Sequence, residues 1–457
     1  MSITRRTLLV GTGVGAVAVL LAACTDDPKP APTTSSPAPR PSTSAEGVPA
    51  PEAWMRSRWA VDPYAYGAMS YLPVGAMPAL REALIEPVED RVFFAGEATD
   101  PERPGTVLGA FDSGRRAAAA LLDVAGSGER IAVIGAGAAG AVAARVLADA
   151  GHTVTVLEAR ERLGGRIHSV VDDAWPLPVQ LGAWLSAEGD AAAIRERLRA
   201  LGLDEIRFDA ATGWSEEGAV ATVDGARLQE AIARAQEQPA DVALTDALEE
   251  DGADADDPAL AAALAWLEAI TGADATRASS WYPPAFPGEA LIGANGDMAA
   301  LIEETTEDLD ITLATTVVRI AYDDRGVSLR LGTGEALSYD RVIVTAPLGV
   351  LQHEGIQFSP PLPFSHRGAI AELASGAVEC VWMRFEEQFW DTDATIWHVV
   401  GGDGLIRTWL NLQPAVGEPV LVGLVGGAAA EEFADLNDRE AQAAAQASLA
   451  FFAADED

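Results

Sequence analysis

Lysine is almost absent from this chain, which has one, Lys29. Cysteine is nearly as scarce: there are two, Cys24 and Cys380, and Cys24 falls in a processing signal, so no internal disulfide holds the fold. Positive charge is outnumbered, 31 Lys and Arg against 69 Asp and Glu, and the resulting net charge of -38 argues against a surface that binds DNA or RNA. No apolar run is long enough to read as a spanning helix; the run ending at Ala23 is short. No metal site is expected either. The acidic run Asp251-Gly-Ala-Asp-Ala-Asp-Asp-Pro258 lacks a calcium-loop spacing and reads as a solvated loop. No repeat of fixed period is present.

What is there begins with an address. Thr4-Arg-Arg-Thr-Leu-Leu-Val10 is a twin-arginine pattern, and Leu21-Ala-Ala-Cys24 reads as a lipoprotein cleavage box. Residues 1–24 are therefore expected to be an export signal, with Cys24 lipidated and the protein held at the outer face of the cell membrane through that lipid only; an uncleaved anchor is the alternative. Residues 25–53, rich in proline, serine and threonine, cannot bury a core and are expected to form a tether outside the fold. About 400 residues remain, more than one core usually serves.

The strongest internal signal is Arg130-Ile-Ala-Val-Ile-Gly-Ala-Gly-Ala-Ala-Gly140, followed by Val154-Thr-Val-Leu-Glu158. It reads as strand, glycine turn, helix, second strand and an acid at the strand tip. This is a dinucleotide site: Gly135 makes the tight turn, Gly137 lets the backbone approach a pyrophosphate, and Gly140 lets helix pack on strand. An alanine-rich helix is expected over 113–125, and Gly126-Ser-Gly128 then turns the chain into the strand at Arg130.

The glycine turn continues into Ala159-Arg-Glu-Arg-Leu-Gly-Gly-Arg166, and the whole stretch resembles the start of flavin-containing amine oxidases, the family of polyamine oxidases, monoamine oxidases and lysine-specific histone demethylases. A second flavin segment closes the chain in that family. Here it stands upstream of the glycine turn, as Phe94-Ala-Gly-Glu-Ala-Thr99 and Pro104-Gly-Thr-Val-Leu-Gly-Ala-Phe-Asp-Ser-Gly114. The resemblance covers nearly all of residues 54–457. It implies an α/β fold in which a Rossmann-like FAD-binding domain is interleaved with an α+β substrate domain, in circularly permuted order: substrate-domain segments at 54–85, 187–290 and 351–457, FAD-domain segments at 86–186, joined near 126–129, and at 291–350. Asp190 to Gly272 reads as helical, while Thr315–Ile320, Val327–Leu331 and the run from Arg341 have strand composition.

The same resemblance implies site residues. FAD would be held by Gly135, Gly137, Ala138, Ala139 and Gly140 at the turn, by Glu158 on the adenosine ribose, and by Ala159, Arg160, Gly165 and Arg166. Gly182 and Ala183 would let the flavin ring lie close, Val317 would meet the adenine through its backbone, and Gly96, Glu97, Thr106 and Val107 would run along the ribityl chain and ring. Gly67-Ala-Met-Ser-Tyr71 offers no cysteine for a covalent link, so FAD is expected to be noncovalent. The tyrosine pair that cages amines in monoamine oxidases falls at Ala68 and Thr106, a pattern nearer that of polyamine oxidases and demethylases. Trp184, one residue out of the family register, is either site lining or core. The family's lysine near the reactive flavin nitrogen falls at Cys380, either a buried small hydrophobe or a flavin-facing thiol; no other lysine in the fold can substitute.

These expectations describe an exported enzyme that passes a hydride from an amine carbon to FAD, with imine hydrolysis and hydrogen peroxide release. Its expected partners are oxygen and a small-molecule amine, with a polyamine-like substrate the one the resemblance suggests. The acidic surface can concentrate cationic amines, or serve only solubility. An L-amino-acid oxidase, or a catalytically weak flavin-binding surface lipoprotein, are the alternatives.

Overall fold

The structure, a computed structural model, describes residues 47–220, 225–254, 257–286, 288 and 290–453; the export signal with Cys24 and most of the expected tether lie outside the described residues. The described chain joins the fold earlier than expected. Val48 is buried in the same core as Leu449 and Phe452, and a strand already runs over Ala53–Arg56.

Five strands form a parallel sheet in the order Asp310–Thr312, Thr153–Leu157, Arg130–Ile134, Arg341–Val344, Val92–Phe94. Their central residues are continuous apolar runs because both faces of such a sheet are covered. Ile131, Val133 and Val156 face the helices Val107–Leu122 and Ala138–Asp149, whereas Ala132, Ile134 and Val344 face a four-stranded sheet that includes Val317–Asp323 and Gly326–Leu331. The two helices cross so closely that a Cβ on Gly114 would overlap the Ala139 carbonyl. The edge strand Val92–Phe94 and the helix Val107–Leu122 precede the glycine turn in sequence, yet complete its layer. That helix starts six residues before the expected 113 and ends at Leu122, because Thr106 caps it by accepting a hydrogen bond from Gly109 N at 2.9 Å.

A second, seven-stranded sheet runs in the order Ala53–Arg56, Val378–Arg384, Val420–Gly426, Thr408–Asn411, Ile396–Val399, Ala211–Ser215, Gly218–Val220. One face packs Val381, Met383, Trp397 and Trp409 against the helices Gly427–Asp435 and Asp438–Leu449; the other carries Cys380, Trp382, Ile396 and Leu410. The stretch from Asp190 to Gly272 is not helical throughout. It holds strands at Asp204–Phe208, Ala211–Ser215 and Gly218–Val220, which owe their state to distant partners: Ala211–Ser215 pairs in parallel with Ile396–Val399, and Asp204–Phe208 pairs with Leu291–Asn295.

The junction between the upstream helix and the glycine-turn strand is locked from below. Arg341, 6% exposed, donates from Nε to Glu129 Oε2 at 2.7 Å and from Nη2 to the Val124 carbonyl at 2.8 Å, and also binds the Asp90 carbonyl. Arg130 N donates to Asp340 Oδ2 at 2.7 Å. Truncating one partner of a largely buried pair strands the other, so Arg341→Ala is expected to cost about 2–4 kcal/mol. Urea unfolding should show this as a lower midpoint, and an unchanged midpoint would mean that the junction is held without Arg341.

Candidate active site

The glycine turn opens a long cleft whose lining runs from Thr315, Thr316 and Val317 past Glu158, Gly135, Gly137 and Ala138 to Glu97, Thr106 and Val107. Gly135 takes φ +102°, and a Cβ there would come within 2.6 Å of Thr345 Oγ1, so only glycine suits the turn. A Cβ on Gly140 would drive into the Gly135 carbonyl, which keeps the helix start against the turn, although Gly140 itself does not line the cleft. Two helix N-termini converge on the lining, at Gly137–Ala138 and at Thr106–Val107, and each offers unpaired backbone N–H groups and a positive dipole end.

At one end stands Glu158, 5% exposed. Its Oε2 accepts from Ala136 N at 2.7 Å and its Oε1 from Arg160 N at 2.8 Å, so the carboxylate is fixed with one acceptor position left on each oxygen. Arg160 turns away from the acid and forms a bidentate pair with Asp62 at 2.7 and 2.8 Å, its guanidinium lying over Trp59 and Tyr64. This pair draws Pro63 and Tyr64 into the lining. Sequence reasoning missed Asp62, Pro63 and Tyr64, since nothing local links residues 98 positions apart.

At the other end Glu97, 5% exposed, is the hub. Oε1 accepts from Arg166 Nη1 at 3.0 Å; Oε2 accepts from Ser70 Oγ at 2.7 Å and Gly105 N at 2.9 Å. Arg81, also buried, donates to Ser70 Oγ at 2.7 Å and to the Ala98 carbonyl at 2.8 Å. Burial alone would raise the Glu97 pKa, but Arg166, the Ser70 hydrogen bond and Arg81 outweigh it and hold the carboxyl below its usual range. Ser70 and Arg81 were not foreseen.

This lining fits FAD: a fixed buried acceptor for ribose hydroxyls, two helix ends and a cation for a pyrophosphate, and glycines where the backbone must come close. Residues 39–122 and 221–457 match the model of the flavin containing amine oxidoreductase family, and residues 133–201 match that of an NAD(P)-binding Rossmann-like domain. The chain belongs to the flavin containing amine oxidoreductase family. Polyamine oxidase 4 of Oryza sativa subsp. japonica is 32% identical over 349 residues, 68% of this chain and 70% of that protein. Lysine-specific histone demethylase 2 of Homo sapiens is 28% identical over 352 residues, 68% of this chain but 42% of that protein. Among solved structures, putrescine oxidase bound to putrescine shares 18% identity with a TM-score of 0.54, covering 71% of this chain and 82% of that one. Cyclohexylamine oxidase from Brevibacterium oxydans IH-35A shares 18% with a TM-score of 0.56, covering 70% and 82%. Both likenesses concern the fold. As a member of this family the protein is an FAD-dependent oxidoreductase of the amine oxidase type.

The structure brings most of the expected residues to one cleft: Ala68, Gly96, Glu97, Thr106, Val107, Gly135, Gly137, Ala138, Ala139, Glu158, Ala159, Arg160, Gly165, Arg166, Ala183 and Val317 all line it. Besides Gly140, three others stand elsewhere. Gly182 serves a backbone crossing, where a Cβ would overlap the Arg166 carbonyl. Trp184 is core, its ring against Phe208 at 5.9 Å and Trp382 at 5.3 Å, with Gly293 beneath it for want of room. Cys380 lies behind the lining, its Sγ 3.6 Å from the Gln180 carbonyl, and burial pushes the thiol up to about 12, so it is an uncharged thiol and no base at neutral pH.

The opposite face of the Cys380 strand holds Glu379, which is fully buried and anchors the loop that carries Pro63 and Tyr64. It accepts from Ser57 Oγ at 2.5 Å and Ala60 N at 2.8 Å. Burial raises its pKa to about 7. The fold therefore prefers the neutral acid: that stability is complete below the unfolded value of 4.5 and is lost as pH rises through about 7. Glu379→Gln should accordingly gain roughly 2–3 kcal/mol over the parent at pH 8. Its advantage in melting temperature should vanish by pH 4.5, and a pH-independent difference would show that Glu379 does not titrate in this window.

Proposed function

We propose that the protein is an exported, lipid-anchored amine oxidase that holds FAD noncovalently and oxidises linear amines of polyamine type. The observation that carries the reading is the similarity to polyamine oxidases over two thirds of the chain, joined to a cleft whose polar groups suit FAD along its length. When bound, FAD supplies the acceptor for a hydride from the carbon beside a neutral amine nitrogen, and oxygen takes the electrons as hydrogen peroxide. Glu158 would accept from the ribose, the N-termini at Gly137 and Thr106 with Arg166 would hold the pyrophosphate region, and Thr106, Val107 and Ala68 would shape the ring end. Noncovalent binding is supported by the cleft lining, which contains no cysteine among the described residues. Export rests on the twin-arginine pattern and on Leu21-Ala-Ala-Cys24.

The chain order belongs to the same proposal: a circular permutant whose family termini are joined near 126–129. In support, Val92–Phe94 lies in parallel beside Arg341–Val344. The ends of the described body are also neighbours, since a Cβ on Gly47 would stand 2.9 Å from Ala453 Cβ. A second reading, a catalytically weak flavoprotein, is favoured by one observation: Cys380, which the resemblance sets at the position of the family's lysine, is a buried, uncharged thiol outside the cleft lining.

Purified protein should be yellow, release its FAD into the supernatant on acid precipitation, and generate peroxide with linear di- and polyamines. A yellow protein that yields peroxide with no amine would support the weak flavoprotein instead. Glu158→Ala should weaken FAD retention by about 1–3 kcal/mol, measured as a raised FAD dissociation constant, because ribose hydroxyls lose their buried acceptor. A chain beginning at Gly128 should bind no FAD although it keeps the whole glycine fingerprint, and joining residues 54–125 after residue 457 should restore binding. Normal FAD content in the shortened chain would remove the upstream segment from the site.

A further inference from the structure

Residues 59–67 form a loop closed at its neck, where Gly67 N donates to the Trp59 carbonyl at 3.0 Å. On the incoming side Ala60 N donates to the buried Glu379 at 2.8 Å, and the Trp59 indole donates to the Leu181 carbonyl at 2.6 Å. On the outgoing side Ser375 Oγ donates to the Tyr66 carbonyl at 2.8 Å, and Ala68 N to the Gly376 carbonyl at 2.7 Å. Gly67 is required there, since it takes φ +127° and a Cβ would overlap Ser375 Oγ. Both sides of the neck are thus fixed to the body of the fold.

The middle of the loop brings Pro63 and Tyr64 to the cleft. Asp62 builds the turn: its carbonyl accepts from Ala65 N at 3.0 Å and Tyr66 N at 2.9 Å, and its Oδ1 from Tyr64 N at 2.8 Å. The same carboxylate is the bidentate partner of Arg160, whose guanidinium lies 5.4 Å from the centre of the Tyr64 ring. Tyr64 OH meets Thr316 Oγ1 at 3.4 Å on the lining beside Val317. Arg160 is in turn tied to the acid expected to bind the ribose, its N donating to Glu158 Oε1 at 2.8 Å. The Tyr64 ring both lines the cleft and stays 37% exposed, so it forms the boundary between the adenosine end and solvent.

We infer that Tyr64 is a latch over the adenosine end of FAD, held in place by Asp62 and Arg160, and that this group sets how fast the cofactor leaves. The ring gives adenine an aromatic neighbour without requiring a hydrogen bond from it. Arg160 holds the ring by lying over it, and Asp62 holds the guanidinium by a fork of two charged bonds. Asp62 and Arg160 therefore act through Tyr64, as positioning residues. Because the neck is anchored on both sides, the ring can leave the lining by a change of rotamer that moves neither anchor. This inference rests on noncovalent FAD binding, proposed above, and assigns the step that limits its exchange.

The test follows FAD release from the loaded protein, as flavin fluorescence after dilution into an excess of a flavin-binding scavenger protein. Tyr64→Ala should release FAD about tenfold faster than the parent, the scale of one aromatic contact. Tyr64→Phe keeps the ring and gives up only a long hydrogen bond, so its release should stay within about twofold of the parent. Asp62→Asn should speed release about threefold by loosening the guanidinium over the ring. Combining Asp62→Asn with Tyr64→Ala should release FAD no faster than Tyr64→Ala alone, since Asp62 acts through the ring. Tyr64 is exposed enough that its variants should keep the parental melting temperature without FAD. A parental release rate in folded Tyr64→Ala, equal rates for Tyr64→Phe and Tyr64→Ala, or multiplied effects in the double variant would each overturn the inference alone. Flavin that stays in the acid-precipitated pellet of the parent would overturn the noncovalent reading and this inference with it.

Discussion

The buried carboxylate of Glu97 is the constraint on which the rest depends. A charge sealed from water survives only when it is paired and its lone pairs are filled, and the partners of Glu97 come from distant places in the chain. Ser70 and Gly105 reach it from upstream, Arg166 from beyond the glycine turn, and Arg81 stands behind Ser70. Only when the segment 53–122 is docked on the layer begun at Arg130 are all of these groups in place. The bidentate pair of Arg160 with Asp62 fastens the same two segments at the opposite end of the cleft. The cleft is thus the seam between two stretches of chain, pinned at each end by a buried or half-buried ion pair.

How much of this was legible depended on how local the cause was. The turn at Gly135 and the acid at Glu158 could be read directly, because strand, turn, helix and strand follow one another, Gly135 answers to its own positive φ and Gly140 to a carbonyl five residues before it. The strands over 204–220 could not be read. Their residues are mixed in polarity, and what makes Ala211–Ser215 a strand is an edge offered by Ile396–Val399 some two hundred residues later. Trp184 shows the same limit in a side chain. Its neighbour Ala183 lines the cleft, but the ring swings into a pocket made by Phe208, Gly293 and Trp382, three segments that no spacing rule connects. Arg81 and Asp62 escaped for the same reason, since a buried arginine and a surface acid look alike in sequence until their partners are known.

A parallel sheet is indifferent to the order in which its strands are made, provided each loop can span its gap. Val92–Phe94 needs only the free edge of Arg341–Val344, and the helix Val107–Leu122 needs only the bare stretch of Ala139 that Gly114 can approach. The seven residues between that helix and the strand at Arg130 are tied to Arg341 through Val124 and Glu129, and Arg130 itself is tied to Asp340, both partners being on the far side of the sequence. The link is therefore part of the packed sheet edge. This is the physical sense in which the proposed permutation costs the fold little: contacts that close the layer are the same whichever segment is synthesised first.

The near absence of lysine shapes the chemistry as well as the surface. Cationic groups at the cleft are arginines, Arg160 and Arg166, already paired with Asp62 and Glu97. Neither can take a proton from an amine. Cys380, at about 12, holds its own proton, and the Glu379 carboxyl points to the other face of the sheet. Neither the two cleft arginines nor Cys380 is thus a ready base, and the reacting amine has to lose its proton by another route. Burial supplies one. An ammonium moved out of water against apolar lining such as Ala68, Val107 and Ala183 loses hydration that its neutral form hardly needs, so its pKa falls.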